Sequence, residues 1–142
     1  MLDGLYNTDV LTLSAHLKTG TLQDAHGTVR KVSKLCGSWI ELDVIMDNGV
    51  VFDTALRIEA CALGQASAAI LQQTIIGASL REVTAARDGL RAMLKSGGAP
   101  PLGRFSKLAL LSGVRAYPAR HNSTLLAFDA AVEAIEIAEG QA

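Results

Sequence analysis

The chain has 142 residues, 13 of them basic and 14 acidic, and is 49% apolar but only 4% aromatic. That length fits one domain, residues 1–142, burying roughly 70% of its extended surface without staples or metal, and the intermingled, near-neutral charge leaves no footprint for nucleic acid. No apolar run reaches the roughly 18 residues of a membrane span, and two cysteines are too few for a secreted disulfide framework.

The opening "MLDGLYNTDV" is acidic and has no apolar centre, which argues against a secretory signal. Both cysteines therefore read as thiols of a reducing compartment, and the cytoplasm is the expected location. "LYNTDVLTLSAHLKTG" predicts an amphipathic helix with Leu5, Val10, Leu13 and Leu17 on its apolar side and Gly20 as its stop. "TVRKVSKL" predicts an edge strand whose cationic side chains discourage pairing with a foreign strand.

The clearest signal is "WIELDVIMDNGVVFDTALRIEA", residues 39–60. Ile40, Leu42, Val44 and Met46 alternate with Glu41, Asp43 and Asp47; Val50, Phe52, Leu56 and Ile58 alternate with Asp53, Arg57 and Glu59. Asn48-Gly49 between the two runs predicts a type I′ hairpin, whose central residues both need positive φ. From Cys61 the period becomes helical, through the alanine-rich "CALGQASAAILQQTII" to a stop at Gly77. Ser79 and Glu82 form a capping-box pattern for a helix over residues 80–95. "SGGAPPLG" then reads as an internal loop, followed by a short helix over residues 105–111. A last helix places Leu125, Phe128, Val132 and Ile135 on one stripe, with Glu133 and Glu136 toward solvent. Together these elements predict an α+β fold, a small, mainly antiparallel three-stranded sheet packed against several helices.

Three residues of chemical interest fall at element junctions. Cys36 lies in the turn "KLCGSW", Cys61 where a strand becomes a helix, and His121 just before the last helix, where Asn122 or Ser123 can cap. Their separations match no zinc-finger spacing. If the Cys61 thiol reaches the first-turn amides, their partial positive charge favours its thiolate, which makes Cys61 the expected nucleophile. The competing reading is plain: a non-disulfide cysteine is commonly a small buried hydrophobe, and Asn122 a helix cap.

The runs "LCGSWIELDVIMDNGVVFDTALRIEACALGQASAAI" and "YPARHNSTLLAFDAAVEAI" resemble the IscU/SufU/NifU-N-terminal family of iron–sulfur cluster assembly scaffolds, and the similarity extends over residues 5–139. The aromatic-Pro-x-Arg run before the last helix is similar to the SufU branch. The resemblance implies a cup of three cysteines and one aspartate. Here the Cys-Gly-Asp motif reads Cys36-Gly37-Ser38, the second cysteine matches Cys61, and Asn122 stands in the third cysteine's place after His121.

What remains is an open ligand set of Cys36, Cys61 and His121, compatible with zinc or with a transient iron–sulfur cluster or iron. It has less negative charge than the family pattern. The implied function is a non-catalytic scaffold that passes a cluster on, with a cysteine desulfurase and cluster-recipient proteins as partners. The alternative is a metal-free relative acting as an interaction or regulatory module, favoured by Ser38 and Asn122. A third class, an enzyme with Cys61 as nucleophile and His121 as base, would need an orienting carboxylate such as Glu41, Asp43 or Glu59, which are more simply the polar face of the hairpin.

Overall fold

A computed structural model describes residues 7–140; the predicted contribution of Leu5 to the first helix lies outside them. Helix α1 spans Thr8–Ala15, followed by strands β1 (Gly27–Val32), β2 (Trp39–Asp47) and β3 (Val50–Glu59). Helices α2 (Ala62–Thr74) and α3 (Leu80–Lys95) come next, then two 3-10 segments, Gly103–Ala116 and Pro118–Arg120, and finally α4 (His121–Ala138). The three strands form one antiparallel sheet in the order β1-β2-β3, so the fold is the expected α+β arrangement. No helix among the described residues is long and apolar enough to cross a membrane.

The turn chemistry works as the residues dictate. Asp47 pairs with Val50 across a two-residue loop, with φ of 52° at Asn48 and 79° at Gly49. Ser79 caps α3: its hydroxyl accepts from the Glu82 amide while the Glu82 carboxylate accepts from the Ser79 amide. Helix α1 ends at Ala15, before Gly20, and beyond it the Gln72 side chain pairs with both backbone groups of Lys18.

One apolar face of the sheet rests on α4, and α2 and α3 pack against the same helix. Leu125, Phe128, Val132 and Ile135 are buried as the stripe predicts, and the Phe128 ring meets Phe105 edge-on at 5.9 Å. At the start of β1 the two backbones approach so closely that a Cβ on Gly27 would lie 2.2 Å from the Ala134 carbonyl oxygen.

Two expectations are corrected. In β3 the buried residue near the hairpin is Val51, while Phe52 is 61% exposed. Pairing steps from Ile45–Asp53 to Met46–Val51, so Phe52 is the extra residue of a β-bulge, which reverses the alternation on the hairpin side of it. The short helix expected over residues 105–111 is a longer 3-10 run. Its buried residues Phe105, Leu108, Leu111 and Val114 recur every third position, the period of a 3-10 turn rather than an α-helix.

The other sheet face is tied down by the ion pair of a buried Asp43 with a half-buried Arg57. Asp43, in β2, is 3% exposed and accepts from Arg57 Nη1 and Nη2 at 2.9 and 3.0 Å, from the Leu22 amide at 3.0 Å and from Thr28 Oγ1 at 2.9 Å. Arg57 also donates to Glu41 and to the Gly20 carbonyl. The link from α1 to β1 is thereby fastened across the strands. Hydrogen bonds from the Arg57 guanidinium hold the Asp43 carboxyl below its usual range against the opposing effect of burial. A lowered carboxyl contributes stability that is present above the unfolded value near 4 and lost as pH falls through the folded value. Asp43→Ala should therefore cost about 2 kcal/mol at neutral pH, because the Leu22 amide and the Thr28 hydroxyl lose their acceptor while Arg57 keeps Glu41 and the Gly20 carbonyl. Urea unfolding at a series of pH values should show this difference narrowing below about pH 4.

Candidate functional site: a cleft with two thiols

The β1–β2 connection folds back on itself. The Ser33 amide donates to the Ser38 carbonyl at 2.8 Å, the Gly37 amide donates to the Ser33 carbonyl at 2.9 Å, and the chain turns through Gly37 at a φ of 72°. Cys36 is left exposed at the tip. Its Sγ lies 3.3 Å from Ser33 Oγ and 3.1 Å from Ser38 Oγ, and both serines are buried. A neutral thiol can donate to only one of these hydroxyls, whereas both hydroxyls can donate to a thiolate. The Ser33 hydroxyl first, and that of Ser38 with it, accordingly hold the Cys36 thiol below its ordinary value.

Cys61 occupies the N-cap position of α2, but its thiol makes no capping hydrogen bond. It is half-buried, with Sγ 3.6 Å from Ser123 Oγ in the first turn of α4. Gly64 makes this proximity feasible, since a Cβ there would lie 2.8 Å from the Ala60 Cβ and 3.2 Å from the Ser123 carbonyl oxygen. Of the two sulfurs, the one exposed and flanked by two hydroxyls is that of Cys36, whereas Cys61, the expected nucleophile, is half-buried.

Cys36 and Cys61 line one open cleft of about 300 Å³, together with Gly37, Ser38, Glu59 and Ala60. The Glu59 carboxylate accepts from the Trp39 indole N–H at 3.1 Å. His121 belongs to the junction beside it, but its ring is buried, and Nε2–H donates to the carbonyls of Val114 at 3.1 Å and Arg115 at 3.2 Å. The ring thus anchors the 3-10 segment to α4. Asn122 is exposed and does not cap the helix; Ser123 Oγ donates back to the Arg120 carbonyl.

The structure brings Cys36 and Cys61 together and leaves His121 out of the cleft lining. Among the described residues no group of three or more His, Cys, Asp or Glu is placed to hold a metal ion. Glu41 and Asp43 are engaged with Arg57, and Glu59 with Trp39. The His121 Nε2–H is engaged by the Val114 and Arg115 carbonyls. Sequence reasoning missed Ser33 as a partner of Cys36. The serine three residues before a turn cysteine was the available signal.

An open cleft between the β1–β2 turn and the start of α2 thus presents two thiols on one end of an α+β domain. The family of NifU-like N terminal domains matches residues 5–124, and the chain belongs to it. Over 101 residues it is 31% identical to the protein named iron-sulfur cluster assembly scaffold protein IscU of Streptococcus pyogenes serotype M1, covering 71% of this chain and 64% of that protein's length. It is 28% identical over 117 residues to the protein of the same name from Thermotoga maritima, covering 82% of each. The crystal structure of a NifU-like protein (N-terminal) from Brucella abortus superposes with a TM-score of 0.95 at 41% identity, covering 99% of both chains.

The two thiols should differ measurably. In a Cys61→Ser background, the rate of Cys36 alkylation by iodoacetamide should rise through a midpoint below the ordinary thiol value of about 8.5. Replacing both Ser33 and Ser38 by Ala should move that midpoint upward, as read from a pH–rate profile.

Proposed function

We propose that this protein is a non-catalytic, metal-free member of the scaffold family that acts as an interaction or regulatory module of iron–sulfur cluster biogenesis. The observation that carries the reading is the donor set of the cleft. It offers two thiols, a serine hydroxyl that is hard to ionise near neutral pH, the Glu59 carboxylate already bonded to the Trp39 indole, and no third thiolate. The residues present do not fit a chain-held cluster: a [2Fe–2S] centre needs four strong donors, usually thiolates, with imidazole as the common replacement. Family membership and a TM-score of 0.95 to a NifU-like protein support retention of the scaffold shape. In this proposal the shape still meets the family's partners, a cysteine desulfurase and cluster-recipient proteins, in the cytoplasm.

The test is iron, zinc and acid-labile sulfide content per chain after anaerobic purification and attempted reconstitution. Wild type should carry all three well below stoichiometric amounts, whereas Ser38→Asp combined with Asn122→Cys should gain zinc toward stoichiometry. Stoichiometric iron and sulfide on the wild type, lost in Cys61→Ser, would overturn the reading.

A further inference from the structure

Beyond the last strand pair, Trp39 with Glu59, the two chains continue side by side into the cleft. Ladder pairing ends at that pair: the chain turns through Gly37 at a φ of 72°, and the β1–β2 turn and the start of α2 bring Cys36 and Cys61 onto the same open cleft. The cleft between them is open and lined by two three-residue runs, 36–38 and 59–61. Cys36 is exposed, while Cys61 is half-buried behind it beside Ser123.

We infer that Cys36 and Cys61 form a thiol–disulfide exchange site whose substrates are small-molecule disulfides such as oxidised glutathione. The inference rests on the reading above that no chain-held cluster occupies these sulfurs. In the first step the Cys36 thiolate attacks one sulfur of the small disulfide; a Cys36 mixed disulfide forms and one small thiolate leaves. In the second step Cys61 loses its proton to solvent and its sulfur attacks Cys36 Sγ. The intramolecular bond forms and the second small thiolate leaves. Two protein thiols are oxidised by two electrons, and one small disulfide is reduced to two thiols. The order follows from access: the exposed sulfur is reached from solvent, and the half-buried one is reached from the first.

The test treats reduced, chelator-washed protein with oxidised glutathione and reads intact mass and a non-reduced protease digest. Wild type should lose the mass of two hydrogen atoms without a retained adduct, and the digest should contain a peptide pair joined through Cys36 and Cys61. Cys61→Ser should accumulate a single glutathione adduct on Cys36, and Cys36→Ser should react about tenfold more slowly or worse. A wild-type adduct that persists with Cys61 free, or oxidation that yields only intermolecular dimers, would overturn the inference. Metal content before the chelator wash decides the functional reading separately, because the mass readout is taken on washed protein whichever way that measurement falls.

Discussion

The arrangement of the cleft depends on α4 being covered along most of its length. The sheet lies against it, α2 and α3 pack beside it, and its first turn is as buried at Ser123 and Thr124 as its middle. Side-chain donors buried in that first turn have to find protein acceptors. Here the preceding 3-10 turns supply them: Ser123 and Thr124 hydroxyls both donate to the Arg120 carbonyl, and the His121 ring donates to two carbonyls upstream. Those bonds fix where Ser123 stands, and Ser123 stands against Cys61. A histidine that reads in one dimension as a ligand is, in three, the fastening of the loop that leads into α4.

Replacing a carboxylate by a hydroxyl beside Cys36 changes the chemistry in kind. A neighbouring carboxylate would add a ligand for a cation and repel a thiolate; a hydroxyl donates to the thiolate and binds metals weakly. With Ser33 completing the pair, the loop solvates one sulfur with two buried hydroxyls. The same backbone turn thus serves a sulfur that is free to react.

The sheet was largely legible in the residues because its determinants are local. Asn48-Gly49 demands one hairpin loop, β2 alternates with a clean period of two, and Ser79 with Glu82 marks a helix start. Phe52 was not legible, because a bulge is decided by pairing with β2 and not by the β3 residues themselves. The period of three from Phe105 to Val114 was present in the sequence, but a 3-10 run of that length is uncommon enough for a short α-helix to be the ordinary expectation. At the site, a shared place for Cys36 and Cys61 came only from the family resemblance, and the ring position of His121 was not legible at all. Ring orientation is set by which carbonyls a distant segment presents, and Val114 and Arg115 carry no side-chain signal of it.

Trp39 is the chain's single tryptophan. Its indole N–H is bonded to Glu59 on the cleft wall, and the Arg30 guanidinium lies 4.5 Å from its ring centroid. All indole emission from this molecule therefore originates at the thiol end of the sheet. The hairpin end, with its exposed phenylalanine, is dark by comparison. The fold has, in effect, a built-in optical reporter at the place where its chemistry is concentrated.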